Sequence, residues 1–162
     1  MKTKFYLTAL LTACTLSLSA EEVITDTTQL YFNMNGAIPY YRVNYTYESV
    51  APDGVTPVTL SSALVFPKGI FERTKILEIG GKEYNACGLL LNNHFTITMS
   101  AQAPTVTDNM QIEGPVAAVG PDFIIVSPDS YGFGVTADKP QNYLIADATA
   151  INHIDAVGAA RR

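Results

Sequence analysis

Between Tyr41 and Glu48 the chain alternates strictly. Tyr41, Val43, Tyr45 and Tyr47 fall on one side, and Arg42, Asn44, Thr46 and Glu48 on the other. A period of two predicts a strand with one packed and one solvated face. A second segment puts Val58, Leu60, Leu64 and Phe66 on one face and ends at Pro67-Lys68-Gly69. Asp53-Gly54, within a Pro-bearing loop, marks a turn between the two, which predicts an antiparallel hairpin with a long loop. Two later apolar runs, Gly88–Leu91 and Phe123–Val126, do not alternate and stop abruptly, one at Asn92-Asn93-His94 and the other at Ser127-Pro128-Asp129-Ser130-Tyr131-Gly132-Phe133-Gly134. Short unbroken runs of this kind are typical of parallel strands buried on both faces.

The remaining segments read as connections and helices. Residues 23–38 are polar and turn-rich and predict an exposed lead-in with one short helix. Residues 70–87 are mixed, with Gly80-Gly81 as a turn between short strands, and Thr96 to Asp108 is a polar loop. A helix is predicted from Asn109 to Val119, capped by Asp108 or Asn109, and Pro121-Asp122 lead into the Phe123 strand. The final helix, Ala146 to Ala160, places Ala148, Ile151, Ile154 and Val157 roughly on one face. Asp147 at its start and Arg161-Arg162 at its end suit the helix dipole. The order is hairpin, strand, helix, strand, helix, which predicts an α/β fold with a mixed sheet and helices on its faces.

Composition narrows the reading. With 162 residues, 48% hydrophobic and 15% charged, the chain can bury a core. A net charge of -5 offers no basic face, which argues against nucleic acid as a partner. Lys2 and Lys4 precede an apolar run, Phe5 to Ala13, that is too short to span a bilayer, so residues 1–20 read as an export signal and the mature protein as periplasmic or extracellular. Two processing routes stay open. Ser17-Leu18-Ser19-Ala20 before Glu21-Glu22 resembles a small-residue cleavage site, whereas Leu11-Thr12-Ala13-Cys14 resembles a lipobox that would lipidate Cys14 and anchor an outer-membrane lipoprotein. After simple cleavage only Cys87 remains, so no internal disulfide is expected. One Cys with the distant His94 and His153 does not make a zinc site, and neither metal nor cofactor is predicted. Gly132-Phe133-Gly134 is too short for a dinucleotide fingerprint, and Gly80-Gly81-Lys82 lacks the rest of a phosphate loop.

Three pieces together carry a resemblance: the hairpin with its Pro52-Asp53-Gly54 turn, the loop Asn93-His94-Phe95-Thr96, and the run Ser127 to Gly134. From about Tyr40 to Arg162 the chain resembles the N-terminal half of a secreted bacterial α/β-hydrolase of lipase, esterase or peptidase type. The resemblance implies a partial hydrolase sheet over residues 40–162 that lacks the C-terminal half and is preceded by the lead-in 21–39. The family carries its serine on a Gly-x-Ser-x-Gly turn, followed by the acid and the histidine. That motif does not occur in this sequence. Nucleophile, acid and base are therefore expected beyond Arg162, no catalytic residue within the chain, and a small acyl or peptide substrate only in an intact relative. By position, His94, Phe95 and Thr96 form the oxyanion-hole loop, with Phe95 where the family usually has glycine.

Within that frame His94 braces the loop, and Asp129, which beside Ser130 could pose as a catalytic acid, bonds backbone amides of its own turn. His153 has a surface or packing role, and Tyr41, Tyr45 and Tyr47 form a packed sheet face rather than a carbohydrate platform. The segment Gly88 to Asn93 would lie at an open sheet edge and favour self-association. The alternative is a non-enzymatic surface or periplasmic ligand-binding module.

Overall fold

The computed structural model describes residues 24–30, 39–73, 75–106, 110–141 and 145–161. The export signal, Cys14, the helix caps proposed at Asp108 and Asn109, and Arg162 lie outside them. Among the described residues seven strands and three helices follow in chain order: β1 Ile24–Leu30, β2 Tyr40–Val50, β3 Pro57–Pro67, α1 Ile70–Arg73, β4 Lys75–Ile79, β5 Lys82–Ala86, β6 Gly88–Leu91, α2 Met110–Val119, β7 Phe123–Pro128 and α3 Ala146–Ala160. The main sheet has the order β1-β2-β3-β7-β6. Its first four strands pair antiparallel, and β6 and β7 pair in parallel.

The hairpin forms where the alternation placed it, with Tyr45 opposite Ser62 and Tyr47 opposite Leu60. In its turn Gly54 takes φ 76°, and the Asp53 carboxylate accepts from the backbone N–H groups of Val55 (3.0 Å) and Thr56 (2.8 Å). Gly80 and Gly81 both take positive φ and close the separate β4–β5 hairpin. Residues 24–30 are not part of a loose lead-in. They pair along β2, and no helix forms there.

Helices cover both faces of the sheet. On one, Ile112 and Val116 of α2 pack on Tyr40, Ala63, Val65 and Ile125. On the other, Ala156 and Ala159 of α3 pack on Tyr45, Tyr47, Leu60 and Val126. The α2 face corrects the reading of β2 as half-solvated. In the row expected to face solvent Arg42 and Asn44 are both buried and Thr46 is half-buried, whereas Glu48 is exposed as expected. Asn44 Nδ2 donates to the Thr105 carbonyl (2.8 Å), so the 96–106 loop rests on that face.

The stripe predicted for α3 is also corrected. Ile154 is 69% exposed and Ile151 is exposed, whereas Ala148, Asn152, His153, Ala156 and Ala159 are buried. The rings of Tyr45 and Tyr47 fill the space beneath the helix, so alanine-sized side chains fit there and isoleucines do not. Polar bonds then lock α3 in rotation. Tyr45 Oη donates to the Ala156 carbonyl (2.8 Å), Ser49 Oγ donates to Asp155 (2.7 Å), and Asn152 Nδ2 donates to Ser49 Oγ and the Val50 carbonyl (both 2.7 Å). This rotation turns His153 toward the cleft described next.

Candidate functional site

A cleft of about 490 Å³ opens at the carboxyl ends of the parallel strands β6 and β7. This is where open α/β sheets bind ligands. One wall is the loop after β6 (Asn93, His94, Phe95), another is the loop after β7 (Ser130, Tyr131, Phe133), and the third is the first half of α3. Asn92 fixes the origin of the first loop. Its backbone N–H donates to Val126 O (2.8 Å), and its Nδ2 donates to Gln111 O (2.9 Å) and Ser127 Oγ (2.8 Å).

Of the three residues assigned to an oxyanion loop, His94 and Phe95 line the cleft and Thr96 does not. Phe95 is 52% exposed, and Ser130 is the single non-glycine with positive φ among the described residues. The backbone at Phe95 therefore does not take the left-handed conformation that would call for glycine.

His94 bridges the two strand-end loops. Its Nδ1 lies 2.8 Å from the Phe95 carbonyl, which only accepts, so Nδ1 carries the proton of the neutral ring. Nε2 is then the acceptor for the Ser130 hydroxyl, 3.1 Å away. Phe133 meets the imidazole edge-on, with centroids 6.3 Å apart. Ser130 holds its place with φ 63°, a conformation costly for a non-glycine residue.

Asp129 is buried beside this pair but faces away from the cleft chemistry. Its carboxylate accepts from Ser61 Oγ (2.5 Å), Thr105 N (2.9 Å) and Thr105 Oγ1 (2.5 Å). The prediction that it bonds amides of its own turn is corrected, because its partners come from β3 and the 96–106 loop. Burial pushes its pKa above the ordinary carboxylate value, against the opposing pull of the Ser61 and Thr105 bonds and of His94. Asp129 thus fastens three segments together. It does not orient an imidazole.

His153, expected to be a surface or packing residue, lines the cleft from α3. It is 8% exposed and makes no hydrogen bond with any described residue. Burial, and secondarily the neighbouring His94, lower its pKa. The one signal in the amino-acid order is that a histidine and an asparagine interrupt the alanine-rich helix. Which way they face depends on the rotation imposed by Tyr45 and Ser49.

No protein-family model matches this chain, and no curated protein matches it either. A crystal structure of a Legionella pneumophila protein, described provisionally as a hydrolase, is similar with a TM-score of 0.60 and 20% sequence identity. The similarity covers 77% of this chain and 30% of that protein, so this chain spans under a third of its length. The likeness is one of fold. It supports an α/β fold shared with part of that protein and transfers no residue roles.

Proposed function

We propose that this chain is the N-terminal part of an exported α/β-hydrolase domain whose intact form hydrolyses carboxylic esters or peptides. In this reading the chain supplies the substrate cleft and the oxyanion loop His94-Phe95-Thr96, and it does not supply the nucleophile. The observation that carries the reading is the strand order. The hairpin β2–β3 enters antiparallel, β6 is laid at the far side, and the chain crosses through α2 to place β7 between them. The cleft then lies at the strand ends, next to the loop that donates an oxyanion N–H in such enzymes.

The Ser130–His94 contact has the atoms of a nucleophile and base but lacks the rest of the apparatus. A serine hydrolase needs a carboxylate on the second imidazole nitrogen and a nucleophile on a strand-to-helix turn. Here Phe95 O occupies Nδ1, Ser61 and Thr105 bond the Asp129 carboxylate, and Ser130 leads into the 3-10 turn Gly134–Thr136. We therefore assign the pair to holding the two loops across the cleft.

The mature chain is expected to hydrolyse p-nitrophenyl butyrate no faster than buffer, with Ser130→Ala and His94→Ala indistinguishable from it. Saturable turnover that either substitution abolishes would overturn the assignment. A ligand-binding module without catalysis is the second reading, favoured because both strand-end loops and α3 line one cleft among the described residues. Reading the coding DNA beyond Arg162 separates the two. A Gly-x-Ser-x-Gly followed by Asp and His supports the hydrolase, and an immediate stop supports the module.

The reading also predicts association. Among the described residues β6 pairs only with β7, and its Leu89 is 43% exposed. An apolar strand with an open edge templates pairing with another chain. Sedimentation velocity at rising concentration should show dimers or larger species, and replacing Leu89 with lysine should shift them toward monomer. A monomer at all concentrations contradicts this.

A further inference from the structure

The outer side of α3 carries a pattern that packing within the chain does not use. Asp147, Ile151, Ile154, Gly158 and Arg161 recur four and three residues apart, so they share one face of the helix. All five are exposed, and Ile154, at 69%, is the more open of the two isoleucines. The buried alanines Ala148, Ala156 and Ala159 lie on the other side, toward the sheet. The exposed Ala150 and the half-buried Val157 flank the outer face.

The charges on this face are self-complementary. Residue 154 stands midway between 147 and 161, with an acidic side chain at one end and a basic one at the other. Neither Asp147 nor Arg161 forms an ion pair with a described residue. If a second α3 lies antiparallel across a twofold axis at Ile154, each Asp147 meets the Arg161 of the other copy. The same register sets Ile154 against its own mate, Ile151 against Val157, and Ala150 against Gly158. It also lays the positive end of each helix dipole beside the negative end of the other.

Gly158 is a second, independent sign. Glycine weakens a helix, yet here it takes no positive φ, and a Cβ added to it would meet nothing within 4 Å. Nothing inside the chain calls for it. Opposite the small Ala150 of another copy, it would let two helix backbones approach closely.

We infer that the outer face of α3 is a self-association surface, on which a second copy of this chain packs antiparallel about a twofold axis at Ile154. This surface is separate from the β6 edge, because α3 covers a face of the sheet and β6 ends it. It does not depend on the hydrolase reading. Ala150 also lines the cleft, so the second copy would stand at the cleft rim.

Sedimentation equilibrium on the mature chain carrying Leu89→Lys, which removes pairing at the sheet edge, isolates this contact. A dimer should remain and dissociate on dilution. Asp147→Arg and Arg161→Asp each oppose like charges at two symmetric places, and each should weaken the dimer about tenfold. Both positions are exposed, so the fold should tolerate the changes. Combining the two reversals restores the pairs and should recover most of the affinity. In a Cys87→Ser background, Ile154→Cys should form a disulfide with its own mate on mild oxidation. Ala150→Cys should not, because its mate lies about 12 Å away along the helix axis. Absence of a dimer at every concentration, unchanged association in both single reversals, or a double reversal no better than the singles would overturn the inference. So would cross-linking of Ala150→Cys as readily as Ile154→Cys.

Discussion

Replacing Asp129 with alanine should destabilise the fold by about 3–5 kcal/mol, the cost of leaving the partners of a buried charged group unsatisfied. The substitution strands the Ser61 hydroxyl and both the N–H and hydroxyl of Thr105, and it releases the 96–106 loop from the end of β7. Total stabilities of domains this size are about 5–15 kcal/mol, so much of the fold's margin is at stake. Asparagine presents an amide donor to groups that donate, and should recover only part of the loss. The pH dependence has a definite sign. Because burial raises the Asp129 pKa, the native state binds that proton more tightly than the unfolded chain. Its contribution to stability therefore grows as pH falls through the native value toward the ordinary carboxylate range, and the substitution removes that growth. The measured loss should be larger in the ordinary carboxylate range, near about pH 4, than in alkaline solution. Urea unfolding at both pH values checks this, and a variant within about 1 kcal/mol of wild type refutes the fastening role.

Gly134→Ala should cost about 2–5 kcal/mol. Gly134 takes φ 54°, and a Cβ there would strike the Asp129 carboxylate and Ser61 Oγ. Left-handed backbone alone costs a non-glycine residue about 1–2 kcal/mol, and losing the Ser61–Asp129 bond adds about 1–3 kcal/mol. Gly54→Ala is the control. Gly54 has φ 76° with nothing within 4 Å of the added carbon, so it should show the backbone cost alone. Thermal or urea unfolding of the two variants isolates the steric part. Equal losses would mean that the Ser61–Asp129 contact is not the constraint.

The two substitutions converge on one physical point. The loop after β7 carries Ser130 into the cleft in an unfavourable backbone conformation, and the cost is met by bonds below it. Asp129 N donates to Ser61 O (3.0 Å), Val135 N to Ser61 Oγ (3.1 Å), and Phe133 N to Ser130 O (3.2 Å). Thr136 Oγ1 closes the turn, donating to Phe133 O (2.9 Å) while accepting from Gly132 N (3.0 Å). The geometry of the cleft thus depends also on Ser61, Asp129, Val135 and Thr136, which lie outside its lining.

Much of the scaffold was legible in the amino-acid order because it depends on local physics. Alternation over Tyr41–Glu48, the Asp53-Gly54 and Gly80-Gly81 turns, and the unbroken Leu89–Leu91 and Phe123–Val126 runs are properties of a few consecutive residues, and each reappears as a strand or turn. The strand-end loops were marked for the same reason, so His94, Phe95, Asp129 and Ser130 were already in view. What the tertiary structure alone decided is which side chains meet across distance. Periodicity on α3 favoured its isoleucines, but the bulk of Tyr45 and Tyr47 admitted only alanines, and the bonds from Ser49 and Tyr45 turned the helix until His153 faced the cleft. Asp129 reads as a turn residue in sequence, yet its partners Ser61 and Thr105 lie 68 and 24 positions away. Strand pairing of 24–30 with β2 was hidden in a polar segment, because cross-strand partners rather than local hydrophobicity define it. Local periodicity fixes an element's type, but its rotation and its buried polar partners are set by packing against neighbours distant in the chain.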